Sequence, residues 1–256
     1  VGSEMCIRDS YKTTDMEQNL SKKTRTESDL IGSREVPESA LYGVQTLRGI
    51  ENFRISKFHL NEYPLFIQAL AITKMGAVVA NRKLDLLTEE QADAILKACK
   101  EVLEGKHHEQ FPVDMIQGGA GTTTNMNVNE VIANRALELM GHRRGEYQYC
   151  SPNDHVNRSQ STNDAYPTAI HIGLYYTHLK LVKHFGELIA SFRKKGKEFA
   201  HIIKMGRTQL EDAVPMTLGQ TFNGFANILE QEVKNLDFAA QDFLTVNMGA
   251  TAIGTG

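Results

Sequence analysis

Three stretches of the chain concentrate neutral hydrogen-bond donors. Thr122, Thr123, Thr124 and Asn125 follow the small-residue run Gly118-Gly119-Ala120-Gly121. Ser161, Thr162 and Asn163 close a polar segment that also holds Asn153, Asp154, His155 and Asn157. Thr208 and Gln209 stand in Gly206-Arg207-Thr208-Gln209-Leu210. Hydroxyls and amides at the mouths of helices suit a carboxylate ligand. Removing a proton from the carbon next to a carboxylate builds a doubly negative aci-carboxylate. Neutral donors aimed at its oxygens lower that barrier, and loss of one such donor costs on the order of 3 kcal/mol. Ser, Thr and Asn before a helix also serve simply as caps. A helical scaffold or oligomerisation module with no catalysis therefore stays open on the residues alone.

Other chemistries find no pattern. Residues 118–121 lack the Lys-Ser/Thr of a P-loop and the spacing of a dinucleotide fingerprint. No Ser or Cys stands with His and carboxylate in triad order, and no metal-ligand cluster is evident. His171, His178 and His184 miss the i, i+4 spacing of a helical metal site. The three cysteines, Cys6, Cys99 and Cys150, are odd in number and read as free thiols in a reducing compartment.

The elements that must position these clusters are mostly helical. Residues 24–60 are punctuated by Gly32, Pro37, Gly43 and Gly49, which predicts turns, a short strand near Leu30-Ile31 and a short helix over 43–53. Pro64 opens a helix reaching about Leu84, with Leu65, Ala69, Ile72, Met75, Ala77 and Val79 as its apolar face. Thr88-Glu89-Glu90-Gln91 is a capping box for a helix that stops at Gly105. Residues 111–116 read as a short extended segment. A helix with Val128, Val131, Ile132, Ala136 and Leu139 follows the first polar cluster. After the second runs a helix of over thirty residues, with a face of Ile170, Leu174, Leu181, Phe185, Leu188 and Phe192. Residues 205–216 interrupt it. Leu218, Phe222, Phe225, Leu229, Val233, Leu236 and Phe243 then mark another long helix. Two such helices with a short connection belong to a bundle, and their length favours assembly with other subunits.

The expected class is mainly α: a helical N-terminal domain over residues 24–150, then the start of a long central helical bundle over 151–256. Residues 1–23 carry no sustained apolar period and are expected to be a disordered or non-native leader. Of the 256 residues 41% are hydrophobic and 23% charged, with a net charge of −3. That balance supplies a core and gives no field for nucleic acid or an anionic membrane. No run of 18 apolar residues exists and no secretory signal pattern is present, so the expected location is cytoplasmic.

Gly119-Ala120-Gly121-Thr122-Thr123-Thr124-Asn125-Met126-Asn127-Val128-Asn129-Glu130 is followed by Asn153-Asp154-His155-Val156-Asn157 with Gln160-Ser161-Thr162-Asn163-Asp164. Then comes Gly206-Arg207-Thr208-Gln209-Leu210-Glu211-Asp212-Ala213-Val214-Pro215. Together, in this order, they closely resemble the aspartase/fumarase superfamily, from about Thr24 to the last residue. The resemblance implies a mainly helical homotetramer with a central bundle, active sites built from three subunits, and a cofactor-free anti elimination releasing fumarate. By motif position it makes Thr122, Ser161, Thr162, Asn163, Thr208 and Gln209 substrate-binding residues. It assigns Asn153 and Asp154 to a second, regulatory dicarboxylate site.

Within the superfamily the chain is more similar to the ammonia-releasing members, with L-aspartate and fumarate as ligands, than to class II fumarases. Fumarases read Ser-Gly-Ser-Gly-Thr where this chain has Gly118-Gly119-Ala120-Gly121-Thr122, and carry His where it has Gln209. Residues 145–149, Gly-Glu-Tyr-Gln-Tyr, lean the same way. Hydroxide is a poor leaving group and gains from a titratable partner, whereas ammonia leaves without one. The family's base is a Ser on a Gly-Ser-Ser loop, followed by a substrate-binding Lys and Asn, and that segment is expected beyond Gly256. The chain is therefore expected to be an N-terminal fragment that is inactive alone.

Overall fold

A computed structural model describes residues 23–255. The expected leader up to residue 22, Cys6 included, lies outside the described residues. The described chain is mainly α-helical, as expected.

It starts with a hairpin. Strand β1 (Thr24–Asp29) pairs antiparallel with β2 (Gly32–Pro37), in register from Thr24↔Pro37 to Asp29↔Gly32. Leu30 and Ile31, predicted as strand, form the exposed tip instead. The local turn chemistry outweighs their β propensity. Asp29 Oδ1 accepts from the N–H groups of Ile31 (2.9 Å) and Gly32 (3.1 Å), and Gly32 takes φ +128°.

Four helices then build the core: α1 (Val44–Asn52), α2 (Pro64–Lys83), α3 (Glu89–Leu103) and α4 (Thr122–Leu139). Pro64 sits at the first turn of α2. The Thr88–Gln91 capping box forms in both directions at 3.2 Å. The extended stretch around Asp114, before α4, bridges His59, which lies between α1 and α2. Ile67, Leu70, Ile95, Val102, Phe111, Ile132 and Leu137 are fully buried in one cluster. The α2 face is rotated from the expected one: Ile67, Leu70, Ala71, Lys74 and Val78 are buried, while Val79 is exposed. Because α2 packs against both α3 and α5, its apolar surface is broad and a single stripe misplaces its centre. Helix α2 has the length and hydropathy of a membrane span, yet half of that stretch is buried inside the fold.

A π-helical turn, Pro152–Val156, leads to α5 (Thr162–Glu198), whose 37 residues extend about 55 Å. Residues 205–216, expected only as a connection, form a second hairpin of β3 (Ile203–Thr208) and β4 (Glu211–Thr217). Helix α6 (Leu218–Ala240) returns antiparallel along α5. Phe192, Phe199, Phe222 and Phe225 interleave, Arg193 pairs with Glu230 (2.8 Å) and His178 with Asp237 (2.9 Å). Phe243 lies beyond α6 in a 3₁₀ turn. The leucines of the expected α5 face do not enter this chain's core. Leu174, Leu181 and Leu188 are exposed, and α5 packs through Ala165, Ala169, Gly173 and His178.

Candidate functional site

The first cluster is itself the opening turns of α4, which begins at Thr122 rather than after the cluster. Gly121 precedes it at φ +90°, and Gln117 caps it, accepting from Thr124 N–H (2.8 Å) and donating to Thr124 Oγ1 (2.8 Å). The exposed Thr122 hydroxyl donates to Gly119 O (2.6 Å). Asn125 is fully buried.

The second cluster starts α5. Ser161 is the N-cap: its Oγ accepts from Asn163 N–H (3.2 Å), and Asp164 Oδ1 accepts from Ser161 N–H (3.0 Å). Ser161 and Thr162 are half-buried, Asn163 is exposed and Asp164 is buried. Asp164 Oδ2 also accepts from the N–H groups of Gly249 and Thr251 (3.2 Å each), which docks the segment after α6 here.

These two clusters touch. Asn125 Nδ2 donates to Thr162 Oγ1 (3.0 Å) and to Asn157 Oδ1 (3.1 Å). The Tyr166 ring packs against Gly121, where a Cβ would stand 2.5 Å from ring carbons. The residue that knits them is one that the amphipathic pattern did not single out. Lys74, in the middle of α2, is fully buried, and its Nζ donates to Asn125 Oδ1 (2.8 Å), Asn157 Oδ1 (2.9 Å) and Gln160 Oε1 (2.9 Å). Burial pulls its pKa down to about 7, opposed in part by the negative charge of Asp164. Three amide oxygens match the three N–H groups of the ammonium form.

The third cluster stays apart. Thr208 ends β3 and Gln209 is the hairpin tip, at φ +50°, both exposed. The hairpin follows the far end of α5, so the helix's length separates it from Ser161 and Thr162. Within one chain, two of the three clusters meet and the third does not.

Asn153 and Asp154 lie on the π-helical turn, both exposed. Ser151 Oγ accepts from Asp154 N–H (3.1 Å), and Ser151 N–H donates to His155 Nδ1 (2.7 Å). Burial lowers the His155 pKa. Asn153 borders a cavity of about 670 Å³ with Arg48, Gln45 and Tyr147. Thr122 borders another, of about 450 Å³, and Arg48 and Gln45 line both. Asn163 lies on a third, of about 390 Å³, across Gly121. Arg48, also missed in the sequence, is held by Asp29 through two bonds (2.8 and 2.9 Å). Helix α1, which carries it, is fixed by Glu130 of α4. That buried carboxylate accepts from the N–H groups of Gly43 (2.8 Å), Gln45 (2.8 Å) and Thr46 (3.0 Å), satisfying the helix's free donors. Among the described residues no three His, Cys, Asp or Glu side chains group as metal ligands. Cys99 and Cys150 are buried free thiols.

A family model described as lyase matches residues 32–256. The aspartate ammonia-lyase of Escherichia coli is 55% identical over 238 residues, 93% of this chain and 50% of its own length. That of Pseudomonas fluorescens is 56% identical over 233 residues, covering 91% and 49%. Among solved structures, a fumarate lyase:delta crystallin from Brucella melitensis bound to cobalt superposes with TM-score 0.86 at 51% identity, covering 91% of this chain and 51% of that one. A class II fumarase from Schistosoma mansoni superposes with TM-score 0.84 at 38% identity, covering 91% and 49%. The chain spans about half the length of the curated relatives it matches.

Proposed function

The chain belongs to this lyase family, and from that premise we propose that the protein carrying it is an aspartate ammonia-lyase, reversibly converting L-aspartate to fumarate and ammonia. A base takes a proton from C3, the carbon beside the side-chain carboxylate. The electron pair moves into that carboxylate as an aci-carboxylate, then returns to form the C2–C3 double bond as the C2–N bond breaks and ammonia leaves. Thr122, Ser161, Thr162 and Asn163 bind and stabilise the carboxylates. Their neutral donors favour the charge that grows during proton removal. The clusters hold no group suited to take the proton, so the base is assigned to a segment outside them.

The observation that carries the reading is the bond from Asn125 to Thr162, which brings donors of two family motifs into one partly buried network. Thr208 and Gln209 are assigned to the site of another copy in a homotetramer. The exposed apolar residues Leu174, Leu181 and Leu188 of α5 and Phe225 and Ile228 of α6 support such an assembly. Asn153, which borders the Arg48 cavity, and its neighbour Asp154 are assigned to a second dicarboxylate site, and the location to the cytoplasm. The test is fumarate absorbance with a full-length protein carrying this chain, offered L-aspartate or L-malate. Elimination from aspartate is expected; elimination from malate alone would replace this reading with a fumarase.

A further inference from the structure

The chain of donors behind Thr162 has a direction. As an ammonium, Lys74 Nζ has only hydrogens to offer, so each amide that faces it turns its oxygen inward. For Asn125 that fixes the flip: Oδ1 on the ammonium, Nδ2 on Thr162 Oγ1. An Oγ1 that accepts from Asn125 keeps its own O–H free to point elsewhere. Thr162 is the first residue of α5, half-buried, so that O–H is available toward a ligand at the helix mouth. Asn125 and Lys74 are each fully closed to solvent, so water does not compete for the bond between them.

We propose that Lys74 is the positioning residue that aims and polarises the Thr162 hydroxyl as a donor to the substrate carboxylate, through Asn125. The proposal rests on the lyase reading above and deepens it. The relay runs Lys74 N–H to Asn125 C=O, then Asn125 N–H to Thr162 Oγ1, then Thr162 O–H to the ligand. Each bond strengthens the next, and a cation at the inner end makes the outer proton a better donor. No proton changes owner along it. Lys74 never touches substrate. Its contacts with Asn157 and Gln160 hold the second motif in register while Asn125 carries the polarity outward. Replacing the inner cation therefore acts on the same donor as removing Thr162's hydroxyl.

The test is a double-mutant cycle in the full-length protein with Lys74→Met and Thr162→Val. Its readouts are kcat and KM for L-aspartate and the Kd of succinate, an unreactive dicarboxylate, with circular dichroism and molecular mass as folding checks. Each single change is expected to lower kcat on the order of 100-fold, the loss of one aimed donor, and to move KM far less. The double variant is expected to fall at most about 3-fold below Thr162→Val, because both changes remove one donor. Effects that multiply, or an unchanged kcat in folded Lys74→Met, would overturn the relay. Asn125→Asp covers a misfolded Lys74→Met. It keeps an acceptor for Lys74 but removes the N–H, so the Thr162 hydroxyl turns inward to the carboxylate. It should match Thr162→Val, and wild-type turnover by Asn125→Asp would refute the proposal. If the parent protein eliminates nothing from L-aspartate, the lyase reading fails by itself. The succinate Kd cycle then judges the relay: non-additive losses support it and additive ones reject it.

Discussion

Gly121→Ala should loosen the junction between the first two clusters, and the cost can be worked from two independent sources. Gly121 holds φ +90° and ψ 14°, a left-handed conformation that costs an L residue about 1–2 kcal/mol. Its new Cβ would stand 2.5 Å from carbons of the Tyr166 ring. Carbon contacts settle at about 3.5–4 Å, so the ring or the start of α4 must shift by about 1 Å. Overpacking of that kind costs about 1–3 kcal/mol. The sum is about 2–5 kcal/mol. The assay is urea unfolding of the full-length protein, with succinate affinity measured alongside. Adding Tyr166→Ala should recover the steric part against the Tyr166→Ala parent and leave about 1–2 kcal/mol. Gly118→Ala is the control: its φ is not left-handed and its nearest neighbour, Phe53, stands at 3.4 Å, so it should cost under about 0.5 kcal/mol. A Gly121→Ala protein as stable as the parent, or one that loss of the ring does not relieve, would refute the reasoning.

Acid stability should depend on Glu101. The Arg135 guanidinium, with His107 beside it, holds its carboxyl down to about 2. A depressed folded pKa means that the stabilisation is present above the unfolded value near 4.5 and is lost as pH falls toward about 2. Glu101→Gln should remove that slope from an acid-unfolding curve, and an unchanged slope would assign it elsewhere. Burial pushes the thiols of Cys99 and Cys150 up to about 12. In a Cys6→Ser background, a thiol reagent at pH 8 should therefore label neither until the protein unfolds, and native-state labelling would contradict their burial. Leu181→Glu, on the exposed face of α5, should lower the mass measured by light scattering while helicity is kept. An unaltered mass would move the subunit interface off that face.

What could be read in advance was local chemistry. Pro64 and the Thr88–Gln91 box each act within four residues, and each marks a helix start in the structure. The Asp29-to-Gly32 turn is equally local, but the apolar pair Leu30-Ile31 at its tip masks it in the sequence. The β3–β4 hairpin had no such signal. A two-stranded ribbon exposed on both sides buries no alternating face, and Pro215 stands inside it at a register break. Lys74 was invisible for a different reason. On a helical wheel it is one charge amid apolar residues, and its acceptors lie 51, 83 and 86 residues away. Arg48 likewise gains meaning only where α1 docks on the hairpin and on α4.

The length of α5 connects the misplaced face and the distant third cluster. A helix of about 55 Å puts Ser161 and Thr162 at one end and the Thr208–Gln209 hairpin beyond the other. No bending of a packed helix closes such a gap, since gentle helix curvature moves ends by a few ångströms. If Thr208 and Gln209 serve the same chemistry as Thr162, they must serve it on a neighbouring copy lying antiparallel, so that the end of one α5 meets the start of another. The exposed leucines at 174, 181 and 188 repeat every seven residues, the spacing that a helix uses to pack along a partner over its whole length. The two features then share one cause. Under the proposed lyase reading, the leucine stripe left outside this chain's core is the surface that would bring the third cluster to the other two, and assembly would then be a condition of chemistry. Mixing subunits carrying Thr162→Val with subunits carrying Thr208→Val should therefore restore turnover in the hybrid, since some sites would combine both intact residues. Mixtures no more active than either parent would remove Thr208 from the chemistry of the Thr162 site.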